Sequence, residues 1–285
     1  MGKVTWEHIQ KVSDNILADG LWQLSKKTFE AYSDISHNDF GNYLISYEEK
    51  PYYIGEAKDI YKRLRQQFKP ATSTFFKNYQ KYSAKTKALS ILPIEKFKVQ
   101  HMPTHIGRKE IEEFGIVNLP TIVNSFQLGK RVNHMICCHN GLWNEVQSFK
   151  GELLGEGEKE ILKQKFQKWF DNNVPSVAGL YLVQNKAGEL IYIGESSDIN
   201  ERYVTHSGRT YFSALRRHIA TEILSFELKE INGKKKYLPD NEERAVTAFL
   251  KTCNAAFYPT ALGRYELEEH LIKKYKPLLN RKDNY

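Results

Sequence analysis

The tripeptide Tyr-Ile-Gly occurs twice, at Tyr53-Ile54-Gly55 and at Tyr192-Ile193-Gly194. Each copy is preceded by a Gly-x-Tyr, ending at Tyr43 or Tyr181, and each is followed by an arginine, Arg63 or Arg202. Farther on stands a carboxylate, Glu112 or Glu268, with an asparagine twelve positions beyond it, Asn124 or Asn280. Phenols, a guanidinium, a carboxylate and an amide in that order are groups that can cut a phosphodiester. Such a reaction needs an activated water, positive charge on the developing phosphorane, help for the leaving oxygen, and positioning. In the second copy Arg202 and His206 are four apart and share a helix face. A single carboxylate with waters and substrate oxygens is the usual way Mg²⁺ is held.

The elements that must carry these groups repeat as well. YIGEAKDIYKRL from Tyr53 and YIGESSDINERY from Tyr192 match at seven of twelve positions. GRKEIEEFGI from Gly107 and GRYELEEHLI from Gly263 match at six of ten. A duplicated domain follows, with insertions in the middle of the second copy. GNYLISY with PYYIG, and AGLYLV with LIYIG, read as β-hairpins. Asp59 and Asp198 read as N-caps, the latter completed by Glu201 as a capping box. Leu267, Leu271, Ile272 and Tyr275 form a helical stripe that Pro277 ends. Ile94–Gln100 and Ala255–Tyr258 are expected to supply a third strand to each copy.

The expected fold is therefore α/β of the α+β kind. Residues 1–36 form a helical N-terminal segment with Ile9, Val12 and Ile16 on one face. Residues 37–126 and 176–285 form two small domains, each a mainly antiparallel three-stranded sheet covered by helices. Residues 127–175 form a helical linker ending in an amphipathic helix with Leu162, Phe166, Trp169 and Phe170 on one side. The 285 residues carry 42 basic against 34 acidic side chains, +8 in all, which suits a phosphate-rich partner. The chain has no apolar run long enough for a membrane span and no secretory signal, and its three cysteines make no disulfide framework. These features point to a reduced, cytoplasmic chain.

The ordered set resembles the GIY-YIG nuclease superfamily, and the stretch from Glu268 to Pro277 is similar to the catalytic helix of the incision subunit of nucleotide-excision repair. The resemblance implies a role for each matching residue. One phenol of Tyr181 and Tyr192, helped by His206, activates water. Arg202 faces the phosphate, Glu268 holds one Mg²⁺ (or Mn²⁺), and Asn280 fixes backbone or water. In the first copy Tyr43, Tyr53, Arg63, Glu112 (its metal ligand) and Asn124 stand in the same places. Gln67 replaces the histidine, which removes acid–base help, and Gly115, Asn118 and Pro120 are expected to interrupt the last helix.

Two further stretches are basic. Arg216 and Arg217 read equally as a solvated helix face or as phosphate contacts. Lys234, Lys235 and Lys236 follow the turn formers Asn232-Gly233 and read as a hairpin tip in reach of DNA. His134, Cys137, Cys138 and His139 have poor geometry for zinc, since adjacent ligands crowd one short segment.

The expected function is a Mg²⁺-dependent DNA endonuclease, restriction-like, with paired strand cuts from a monomer that is an internal pseudo-dimer, or from a higher oligomer. One alternative is a single active domain beside a DNA-binding platform in structure-selective repair cutting. The other is a non-catalytic DNA-binding protein.

Overall fold

The computed structural model describes residues 4–36, 39–71, 73–86, 92–121, 123–124, 140–231 and 233–280. The zinc reading of His134, Cys137, Cys138 and His139 lies outside the described residues. The chain divides into two compact units, Met1–Leu153 and Leu154–Tyr285. Each has mixed α/β architecture with antiparallel sheets. Among the described residues no helix is long and apolar enough to cross a membrane.

The first unit opens with α1 (Trp6–Lys11) and α2 (Ser13–Ser25), separated at Val12, whose backbone leaves the helical region. Ile9 and Ile16 are buried as the stripe requires. β1 (Gly41–Tyr47) and β2 (Lys50–Ala57) form the first hairpin, followed by α3 (Ile60–Gln67), whose N-cap Asp59 accepts the Lys62 N–H at 2.7 Å. After α4 (Thr74–Thr86) comes β3 (Lys98–Pro103), and the sheet order is β2-β1-β3. The expected strand over Ile94–Gln100 starts later than its pattern suggested, because Ile94–Lys96 form a 3₁₀ turn.

Helix α5 (Arg108–Asn118) runs without a break through Gly115, against the expectation. That glycine is there for proximity: a Cβ would fall 2.3 Å from Ile54 Cδ1. In the remaining helix, α6 (Leu142–Ser148), the Trp143 N–H donates to the buried carboxylate of Asp19 on α2 at 2.9 Å.

Helix α7 (Lys150–Leu162), which begins in the last residues of the first unit, ends at Leu162 rather than continuing to Phe170. Gln167–Lys168 form a short strand, β4, and Trp169 begins a 3₁₀ turn. The physical reason is tertiary. Trp169 is fully buried, its ring N–H donates to Ser207 Oγ at 2.9 Å, and its own amide donates to the Cys253 carbonyl. Leu162 and Phe170 stay exposed.

β5 (Gly179–Gln184) and β6 (Leu190–Ser196) form the second hairpin, and α8 (Ile199–Ser207) begins at the Asp198 cap. Helix α9 (Ala214–His218) follows. A separate ribbon, β7 (Lys229–Ile231) with β8 (Lys234–Tyr237), turns at Gly233, whose φ is 73°. Then come α10 (Asp240–Thr252), β9 (Asn254–Pro259) and α11 (Arg264–Tyr275). The sheet order β4-β9-β5-β6 has four strands where three were expected, the addition being the two-residue β4. A core of Trp169, Val183, Ile191, Leu215, Val246 and Leu250 packs beneath it.

Candidate active site

The hairpin register sets which groups face each other. Tyr181 lies opposite Gly194, and Tyr43 lies opposite Gly55, with a bulge at the same place in each hairpin. The glycine of Tyr-Ile-Gly is thereby explained, since the phenol from the neighbouring strand lies across it. Side chains alternate along β6, so Tyr192 shares the face of Gly194 and its ring sits 6.0 Å from that of Tyr181.

On α8, Arg202 is exposed, while His206, one turn later, is 1% exposed. The Tyr181 hydroxyl meets His206 Nε2 at 2.8 Å, and the other ring nitrogen, Nδ1, meets Ser213 Oγ at 2.6 Å. Ser213 also accepts the Arg216 N–H at 3.0 Å, capping α9. Sequence reasoning missed Ser213. Its only local mark is that a serine opens a helical stretch.

Glu268 stands on α11, which starts at Gly263 in a left-handed conformation with φ of 82°. Its Oε1 accepts the Glu195 N–H of β6 at 3.1 Å, while the Glu195 carboxylate pairs with buried Arg264 at 2.9 Å. Asn280 clamps the middle of β6: its Oδ1 accepts the Ile193 N–H at 2.8 Å, and its Nδ2 donates to the Ile193 carbonyl at 2.7 Å. An amide side chain reproduces a peptide's donor and acceptor, so it replaces a strand partner at the sheet edge.

The electrostatics follow from burial. Desolvation pushes the Tyr181 phenol well above its ordinary value, with Tyr192 adding to it. Tyr192 is pushed up to about 12, first by burial and then by the Glu268 carboxylate, while Arg202 and Arg217 pull it back. His206 is pushed down to about 3 by burial, then by Arg202, Arg216 and Arg217. The ring is therefore neutral.

The first unit brings its residues together in the same way. Gln67 Nε2 donates to the Tyr43 hydroxyl at 3.2 Å. Asn124 clamps Ile54 through its N–H at 3.0 Å and its carbonyl at 2.8 Å. Arg63 is half-buried beside Tyr43, Tyr53 and Glu112. Glu112 on α5 is pushed up to about 8, first by burial and then by Glu56 and Glu113. A bound cation would return such a carboxyl to its anionic form. Among the described residues no three His, Cys, Asp or Glu side chains cluster as a metal cage. A carboxylate such as Glu268 or Glu112, completed by water and phosphate oxygens, is a donor set that fits Mg²⁺.

The basic positions divide. Arg216 is 1% exposed, paired with Glu243 at 2.8 Å and bonded to Thr247 Oγ1 at 2.9 Å, so its expected phosphate contact is corrected to an internal ion pair. Arg217 is half-buried, with Nη1 donating to the carbonyls of Thr210 and Tyr211. Lys236 lies over the Tyr211 ring at 5.9 Å, and Lys234 and Lys235 stand on the same strand, β8.

Residues 168–285 match the family model described as the GIY-YIG catalytic domain. The UvrABC system protein C of Clostridium botulinum strains Hall, Langeland and Okra is 29% identical to this chain over 108 residues. That match covers 38% of this chain and 13% of each relative, so the chain spans a small part of their length. No solved structure matches.

Proposed function

We propose that this chain is a metal-dependent DNA endonuclease, with its catalytic centre in the second unit and a second copy of that centre in the first. One observation carries the reading. Inside the stretch that matches the GIY-YIG model, Tyr181, Tyr192 and His206 come from three separate elements to form one cluster, with Tyr181 and His206 buried.

The roles follow from chemistry and exposure. Arg202, exposed and one turn before His206, binds the phosphate oxygens as negative charge builds on them. Tyr192 takes the proton of the attacking water. With its pKa near 12, ionising it at a pH of about 8 costs roughly 5 kcal/mol at 1.36 kcal/mol per unit. That cost already includes the help of Arg202 and Arg217, which hold the phenol down against burial and Glu268. Glu268, and Glu112 in the first unit, would hold Mg²⁺ or Mn²⁺, which when bound supplies positive charge beside the leaving 3′ oxygen. Asn280 and Asn124 keep the tyrosine strands in register, as positioning residues.

Two centres in one chain suit paired cuts by an internal pseudo-dimer, as a restriction-like enzyme requires. The test is cleavage of supercoiled plasmid with Mg²⁺ by the parent, Arg202→Ala and Arg63→Ala. The parent is expected to linearise it, each variant to nick it, and a chelator to abolish both. Unchanged cutting by Arg202→Ala would overturn the assignment of the second unit.

A second reading makes the first unit a DNA-holding platform for structure-selective repair cutting. The outer face of α3 favours it: Lys62, Arg65 and Lys69 line an open groove of about 710 Å³, with Arg65 stacked on Tyr61 at 4.2 Å. Parent-like linearisation by Arg63→Ala would choose this version.

A further inference from the structure

Ser213 is fully buried and its Oγ accepts the Arg216 N–H at 3.0 Å. Among the described residues its hydroxyl proton has one acceptor in reach, His206 Nδ1 at 2.6 Å. Buried hydroxyls keep an acceptor where one is available, so Ser213 donates to Nδ1. A neutral imidazole has one donor and one acceptor nitrogen. The proton of His206 is therefore on Nε2, which donates to the Tyr181 oxygen at 2.8 Å. Tyr181 then has its own proton to give, and Tyr192 is beside it, with ring centroids 6.0 Å apart.

The first unit repeats this polarity with different chemistry. Ser73 Oγ accepts the Phe76 N–H at 2.7 Å and donates to Gln67 Oε1 at 3.4 Å. Gln67 Oε1 also accepts the Phe75 N–H at 2.9 Å, which fixes the amide orientation, and Nε2 donates to Tyr43 at 3.2 Å. Tyr43 in turn lies beside Tyr53, with ring centroids 6.1 Å apart. A glutamine has one donor end and one acceptor end, as a neutral histidine has, and here both face the same way.

We infer that His206 and Gln67 are positioning residues of one kind: neutral hydrogen-bond donors whose direction is fixed by Ser213 and Ser73, serving the first tyrosine rather than exchanging protons. This rests on the hydrolytic reading above and deepens it. Every proton in the chain Ser213–His206–Tyr181 points toward Tyr192, so Tyr192 is the acceptor end. Its phenolate, formed when its own proton leaves to solvent, is the group that takes the proton of water. The same holds for Tyr53. Gln67 is then an equivalent of the histidine, and the expected loss of acid–base help in the first unit does not apply. The groups facing His206 agree. Arg202, Arg216 and Arg217 oppose a charged ring, and the rings of Trp169, Tyr181 and Tyr192 surround the remainder.

Nitrogen-15 NMR of histidine-labelled protein tests the direction without any cleavage assay. The expected His206 signals are a protonated Nε2 and an unprotonated Nδ1, unchanged between about pH 5 and about pH 8, the range where an ordinary histidine titrates. A protonated Nδ1, or titration in that range, would overturn the inference. In plasmid linearisation, which needs both centres, His206→Gln is expected to stay within about 3-fold of the parent with the same pH profile. His206→Phe should lose about 100-fold or more, the size of a typical proton-transfer or positioning contribution. If glutamine is as inactive as phenylalanine, the donor role is wrong. A parent that cuts no DNA would instead defeat the hydrolytic reading, while the NMR result still decides the polarity.

Discussion

Gly194 lies so close beneath the ring of Tyr181 that a Cβ there would fall 2.3 Å from the tyrosine's Cζ and hydroxyl oxygen. The tyrosine is locked between strand β6 and His206, so it cannot yield without leaving its hydrogen bond. Gly194→Ala is expected to fold but to lower the rate of plasmid linearisation about 100-fold, a loss typical of misplacing a reacting group by an ångström. Gly55→Ala should act likewise on the first unit, where the Cβ would fall 2.5 Å from Tyr43. Single-turnover cleavage with a melting curve for each variant checks both.

Asn280→Ala leaves the Ile193 N–H and carbonyl without their buried partner. Stranded buried polar groups cost about 1–3 kcal/mol each. The second unit is expected to lose about 2–4 kcal/mol, seen as a lower urea midpoint at unchanged m-value. A loss of activity with no loss of stability would show that Asn280 acts on substrate instead.

Glu158 on α7 is buried, which pushes its carboxyl up. Hydrogen bonds from Lys274, Tyr275 and His270 of α11 outweigh this and hold it down to about 2. A depressed carboxylate stabilises the fold fully above its unfolded pKa and loses that contribution as protonation sets in. Stability of the second unit should therefore decline between about pH 4.5 and about pH 2. Glu158→Gln should be less stable at neutral pH and show a flatter decline, measurable as urea midpoint against pH.

Arg216→Ala is expected to cost about 3–5 kcal/mol, because it leaves the part-buried Glu243 carboxylate without its cation, held among the described residues only by Thr210. Its effect on the salt dependence of DNA binding should be negligible. Arg217→Ala should do the reverse, retaining the fold and lowering the salt slope by about one unit for one lost phosphate contact. Melting curves and binding isotherms at several salt concentrations separate the two.

Much of this was legible because it is local. The hairpins announce themselves through alternating aromatic and β-branched residues, and the Asp59 and Asp198 caps through their position before a helical run. Other features depended on partners distant in sequence. Trp169 continues an apolar helical stripe, yet burial and its bond to Ser207 place it in a 3₁₀ turn beside β9. Arg216 and Arg217 are adjacent and chemically identical; only Glu243, brought over by α10, makes one internal. Gly115 looked like a helix breaker because its neighbour Ile54 is 61 positions away in sequence and touching in space. Ser213 has no motif at all, since its importance is a contact with one ring nitrogen.

The clamp between Asn280 and Ile193 spans 87 residues of sequence. Ribosomes release a chain from its N-terminus, so the strand bearing Tyr192 emerges long before the amide that fastens it. Until residue 280 arrives, that strand is an open sheet edge and its tyrosine is unregistered. Assembly of the second unit's centre is thereby deferred until Asn280 has emerged, as the first unit's centre waits for Asn124.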